Sequence, residues 1–227
     1  MEKERYIISS AMVSLLGEMV FVTAISVGLI KFILISSNNS AAGLAVPFVF
    51  LLAAAVPTLM RRKSLRDIGF QIGRPKLLLW NLCVVSLVVF PALFGGVLLL
   101  RYCNFSLPLM PVIPQKKWLL WIVYQFLFVA AAEETFFRGY LQSNVLRLLT
   151  TATKTKLELS QWYSIIICAM LFAGTHAVIL GNAMSIVTFF PGLIFGWLFV
   201  RTRSLLTPIL FHGLANVAYG LIAMMVT

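Results

Sequence analysis

The chain has 227 residues, of which 61% are hydrophobic and only 11% charged, and it carries a formal net charge of +11. A soluble domain of this length needs far more charge on its surface. The basic residues stand in short patches between apolar runs, the pattern of loops flanking membrane spans rather than of a nucleic-acid surface. The expected architecture is an all-α polytopic transmembrane bundle, one integral membrane domain over 1–227 with the lipid bilayer as its partner and no nucleic acid.

After the charged stretch Glu2 to Arg5, an apolar segment over 7–30 reads as a retained signal-anchor, because a cleaved signal has a shorter apolar region and a small-residue site close behind it. Six further spans are expected over 41–60, 77–100, 118–141, 162–180, 184–200 and 205–226. That makes seven, with an eighth only if one of the long segments folds back. Runs of ~20 uncharged residues suffice to cross a ~30 Å hydrocarbon layer as helix. The polar stretches 61–76, 101–117 and 142–161 are too short for a soluble domain. With the N-terminus cytoplasmic, fourteen Lys and Arg fall inside and four (Lys31, Arg101, Lys116, Lys117) outside, which predicts that orientation. Cys83, Cys103 and Cys168 are scattered and odd in number, so they form neither a disulfide framework nor a zinc ribbon.

The residues that point to function are polar groups in apolar surroundings. An ionisable side chain at the centre of a span costs at least ~2.5–3.5 kcal/mol, so each needs a reason. Of seven acids, Glu18, Glu133 and Glu134 fall in spans, and so do both histidines, His176 and His212. The fourth span closes on Ala130-Ala131-Ala132-Glu133-Glu134-Thr135-Phe136-Phe137-Arg138-Gly139. Glu134 and Arg138 are four apart and share a helical face, where they can neutralise each other. Glu133 is turned about 100° away and is free for another partner. The fifth span carries Phe172-Ala173-Gly174-Thr175-His176, and the seventh His212-Gly213-Leu214-Ala215-Asn216, with His212 and Asn216 again on one face. Pro208 just upstream is expected to kink that helix and open a polar cavity. Counted from the cytoplasmic ends at ~1.5 Å per residue, Glu133 lies about 12 Å deep, His212 about 11 Å, Asn216 about 17 Å and His176 about 21 Å. These depths allow one cavity in the cytoplasmic half, with His176 the poorest fit. Gly192 and Gly196 form a small-xxx-small pattern that reads as a helix-packing face. Glu18 reads either as a polar contact within the bundle or as part of a substrate path.

A carboxylate and an imidazole can deprotonate and orient a water, while a second imidazole and a carboxamide can donate to an oxyanion. Glu133, His176, His212 and Asn216 therefore supply a hydrolase set for an amide or ester, with water as the attacker. No H-E-x-x-H occurs. One glutamate and two histidines leave zinc open as a cofactor, although none is favoured. Buried Glu and His also make proton relays, so a small transporter is a competing reading.

Glu133-Glu134-x-x-x-Arg138, Phe172-x-x-x-His176 and His212-x-x-x-Asn216, in this order, resemble the three signature motifs of the CAAX protease and bacteriocin-processing (CPBP, or Abi) intramembrane endopeptidases. The run Phe189 to Leu205 is similar to the segment before the last motif there, with Arg203 standing where many members have glycine. The resemblance covers about 118–220, the expected catalytic core. It implies a CAAX-type protease in which Glu133 is the general base, His176 helps to activate water, His212 and Asn216 stabilise the oxyanion, and Glu134 and Arg138 hold the first helix. It implies a membrane-associated peptide or protein as substrate. It also implies an alternative, a catalytically silent member acting as a membrane scaffold or bacteriocin-immunity protein. The compact size fits a prokaryotic cytoplasmic membrane.

Overall fold

The computed structural model describes residues 2–36, 42–105, 113–114, 116–152 and 156–226. Lys154 and the side chains of Lys3 and Arg5, counted above with the basic loops, lie outside the described residues. All regular structure among the described residues is helical. The long helices are α1 (Glu2–Ser36), α2 (Ala42–Met60), α3 (Pro75–Tyr102), α4, α5 (Leu157–Leu180), α6 (Phe189–Thr202) and α7 (Leu206–Val226). Helix α4 is one continuous rod of five stretches: α-helical Trp118–Tyr124, π-helical Gln125–Ala130, α-helical Ala131–Glu134, π-helical Thr135–Gln142 and α-helical Ser143–Ala152. A 3₁₀ turn, Ala183–Thr188, leads into α6. Seven segments of the described residues are long and apolar enough to cross a membrane, so the chain is an integral membrane protein with seven candidate spans, as expected.

The bundle is apolar outside as well as inside, since lipid replaces water. Phe32, Trp80, Leu87, Leu127 and Met225 point outward. The best-buried side chains cluster around α4. Phe136 and Phe137 pack on Phe50 of α2 at 5.2 and 5.5 Å between ring centroids, and Phe172, Phe195 and Phe211 bring in α5, α6 and α7. A Cβ on Gly192 would sit 3.3 Å from the Ala169 Cα, so α6 lies almost backbone-to-backbone on α5. That is the expected packing face. Glu18 proves to be a contact within the bundle: it pairs with Arg61 at 2.9 Å and accepts from the Tyr140 hydroxyl at 3.1 Å, joining α1, the end of α2 and α4.

Two expectations are corrected. Most of the polar stretch 142–161 is helix rather than connection, because α4 continues to Ala152 and α5 begins at Leu157. Hydropathy misses this because the extension is two-faced: Asn144 and Val145 are buried while Thr150 is solvent-facing. Pro208 does not kink α7. It stands in the first turn, where a helix has no acceptor waiting for its N–H, and Ile209 already bonds to the Leu205 carbonyl at 3.0 Å.

The basic connection after α2 is also folded. Ser64 and Asp67 form a capping box on the 3₁₀ turn Leu65–Ile68. The Ser64 backbone N–H, followed by its hydroxyl, holds the Asp67 carboxyl below the usual range. Gly139 lets this turn reach α4, since a Cβ there would come within 2.9 Å of the Ile68 carbonyl oxygen. The Leu205 N–H donates to the Gly69 carbonyl at 2.9 Å, and the Gln71 carboxamide donates to the Arg203 carbonyl at 2.7 Å. Arg203 ends α6 in the left-handed region, φ 52° and ψ 31°, the conformation for which glycine is the usual choice. Its Arg203→Gly variant is expected to be more stable by about 1 kcal/mol, read as a raised unfolding temperature in detergent, because the Cβ penalty is removed from an exposed side chain.

Candidate active site

Glu133 and Glu134 occupy the short α-helical stretch between the two π segments of α4. In a π segment the backbone bonds to i+5, so each turn takes more residues and the face presented inward is rotated. Glu134 and Arg138 are completely buried. Arg138 Nη1 donates to Glu134 Oε1 at 3.3 Å, while Arg138 Nε approaches Oε2 at 3.1 Å, close enough for an ion pair but not aligned as a hydrogen bond. Arg138 Nη2 donates to the Gly192 carbonyl at 3.0 Å. The rings of Phe172 and Phe195 lie 4.7 and 5.2 Å from the guanidinium carbon, so the cation is held by aromatic faces as well as by charge. The i,i+4 pair anticipated from sequence is therefore present, and α6 supplies a third element that sequence did not suggest.

Glu134 does more than neutralise arginine. Its Oε1 lies 2.8 Å from His212 Nδ1. A carboxylate only accepts, so Nδ1 carries the proton in this contact and, with the ring neutral, Nε2 turns a lone pair outward. His176 is set in the same way: its Nδ1 lies 2.9 Å from the Phe172 carbonyl, which also only accepts. Both Nε2 atoms face Glu133 Oε2, at 3.7 Å from His176 and 3.9 Å from His212. Glu133 Oε2 is buried and has no hydrogen-bond partner among the described residues. Three acceptors thus converge on one point and none can satisfy another. A water molecule, which brings two O–H donors, suits this gap.

His176, the poorest fit by depth, arrives fully in the cluster. The apparent mismatch came from the misplaced loop. With the ends at Ala152 and Leu157, Glu133 stands nineteen positions before the one and His176 nineteen after the other, each about 28 Å along antiparallel rods. The structure brings Glu133, Glu134, Arg138, His176 and His212 together. Asn216 lies one turn further along α7 and donates to the Gln125 carboxamide oxygen at 2.9 Å. Sequence reading missed Gln125, the Phe172 and Gly192 carbonyls and the aromatic cage. Only Gln125 carried a visible signal, as a polar residue inside the apolar run 118–132.

A cavity of about 200 Å³ leads to the cluster. Glu133, Thr175 and His176 line its polar end, and Leu34, Val46, Phe50 and Ile179 its apolar walls. Its surroundings are tied by the Tyr124 hydroxyl, which donates to the Gly43 carbonyl at 3.1 Å, and by Lys31, which donates to the Val178 carbonyl at 2.8 Å. The cavity therefore belongs to the region where α1 and α5 end and α2 and α4 begin. As for zinc, no group of three His, Cys, Asp or Glu among the described residues is arranged to hold a metal ion. In a tetrahedral site with ~2.0–2.1 Å bonds, neighbouring ligand atoms sit about 3.4 Å apart, closer than the separations here.

The fold and this centre define an integral membrane protein with a carboxylate and two imidazoles set among its helices. Residues 115–218, a stretch that carries all three motifs, match the family model described as Rce1-like, type II CAAX prenyl endopeptidase Rce1-like. No curated protein and no solved structure matches the chain.

Proposed function

We propose that this protein is an intramembrane endopeptidase that hydrolyses a peptide bond in a membrane-associated peptide or C-terminal tail. The observation that carries the reading is the unsatisfied Glu133 Oε2 facing two bare imidazole nitrogens. Water held there gives a proton to the Glu133 carboxylate as its oxygen attacks the scissile carbonyl, with His176 orienting it. The Asn216 amide donates to the resulting oxyanion, while His212, its Nδ1–H held by the Glu134 carboxylate, accepts the remaining O–H of the attacking water through Nε2. The proton on Glu133 passes to the leaving amine, and the peptide bond breaks. No step is routed through a metal. Protein reconstituted in liposomes with a prenylated tail peptide is expected to yield one defined cleavage product by mass spectrometry. Solute flux without cleavage would sink the reading.

We further propose that the N-terminus is cytoplasmic, from the fourteen-to-four distribution of basic residues. The cavity lies among the helix ends away from those basic loops, so in this orientation its mouth turns to the non-cytoplasmic side rather than the cytoplasmic half suggested by depth. In a background with Cys83 and Cys103 replaced by serine, Leu180→Cys, at an exposed cavity-lining position, is expected to react with a membrane-impermeant maleimide added to intact cells. Arg203→Cys is expected to react only after permeabilisation. The reverse pattern would invert the topology.

A further inference from the structure

We propose that Gln125 is a positioning residue for the hydrolysis, holding the Asn216 carboxamide by one N–H so that its other N–H is presented to the oxyanion; this rests on the endopeptidase reading above. Three observations lead there. First, the two carboxamides are paired, Asn216 Nδ2 donating to Gln125 Oε1 at 2.9 Å. An asparagine left unpaired has no preference between its oxygen and nitrogen ends, and only the nitrogen end stabilises an anion. Gln125, with its oxygen turned to that side, favours the nitrogen end of Asn216, and a glutamate in its place, which has oxygens alone, would hold the same sense.

Second, the helix geometry brings Gln125 to the working face. Gln125 opens the π segment Gln125–Ala130, eight residues before Glu133. In an unbroken α-helix eight residues advance the face about 80° past two full turns. The wider π turn removes most of that excess, so Gln125 and Glu133 fall on nearly the same face, two turns apart. The π register therefore has a consequence: it aims a carboxamide along α7 at the level of Asn216. Third, α7 approaches closely here because Gly213 lacks a side chain. A Cβ at Gly213 would come within 2.4 Å of the Phe126 ring, which stands next to Gln125. His212, Gly213 and Asn216 thus divide the work: imidazole to Glu133 and Glu134, bare backbone to Phe126, carboxamide to Gln125.

The test uses full-length protein in proteoliposomes, with a farnesylated tail peptide as substrate and its phosphinate analogue, a tetrahedral anion, as a ligand that needs no turnover. Gln125→Leu is expected to lower kcat about tenfold or more with KM little changed, and to lose the preference for phosphinate over peptide, since it acts through an oxyanion donor. Gln125→Glu, which keeps the accepting oxygen, is expected to retain most of both. Asn216→Ala and Gln125→Leu together are expected to be no worse than Asn216→Ala alone. A mere tie between α4 and α7 would instead lower the unfolding temperature of Gln125→Leu and leave kcat and phosphinate preference at wild-type values. That result, or full additivity in the double variant, overturns the proposal. Glu133→Gln is run in parallel. If it abolishes cleavage while Gln125→Leu does not impair it, only the Gln125 role fails; if cleavage survives Glu133→Gln, the endopeptidase reading fails with it.

Discussion

Glu133→Gln is expected to lower peptide turnover by about 10³-fold or more without destabilising the protein, and to stabilise it by about 1 kcal/mol. The two halves of this result have one cause. Glu133 Oε2 is buried, has no donor among the described residues and faces two imidazole nitrogens that, in neutral rings bonded through Nδ1, also accept. An amide in its place loses the basicity that removes a proton from water. It also brings N–H groups that His176 or His212 can accept, so a convergence of three acceptors becomes a hydrogen-bonded cluster. Turnover in proteoliposomes and unfolding temperature in detergent, measured on the same preparation, should therefore move in opposite directions. A purely structural glutamate would lose stability and activity together.

Arg138→Met is expected to be the most damaging substitution for the fold, at about 3–5 kcal/mol, because it strands a buried charge rather than because the pair itself is worth that much. Glu134 would keep its carboxylate at zero exposure with only His212 beside it, and the Gly192 carbonyl would lose its donor. The double variant Glu134→Gln with Arg138→Met removes both charges and is expected to recover much of the loss. Chemical unfolding in mixed micelles gives the cycle directly. Activity should not return with stability in the double variant, since His212 would no longer be backed by a carboxylate.

The spans could be read from sequence because hydropathy is a one-dimensional property, and so could the Glu134–Arg138 pair, because i,i+4 contacts need no tertiary information. The direction of Glu133 away from that pair followed from the same helix geometry. The height of His176 was not legible. It depends on where two helices end, and the amphipathic Ser143–Ala152 reads as a polar loop when its two faces are averaged. The π segments flanking Glu133 and Glu134 leave no mark in residue type, so the alignment of Gln125 with Asn216 was hidden as well. Likewise the Gly192 carbonyl reaches Arg138 only because α6 presses on Ala169, a long-range fact. Arg203 is the reverse case: noticed as a departure from glycine, it stands at a positive φ where the backbone gives the reason.

The central claim, that water poised on Glu133 attacks the peptide bond, is tested most directly by cleavage in ¹⁸O-labelled water followed by mass spectrometry of product and protein. The account predicts one ¹⁸O atom in the new C-terminal carboxylate, no covalent adduct on the protein during turnover, and product from Glu133→Gln formed about 10³-fold more slowly or not at all. Unlabelled product, an acyl-protein intermediate, or labelled product formed at the wild-type rate by Glu133→Gln would contradict it.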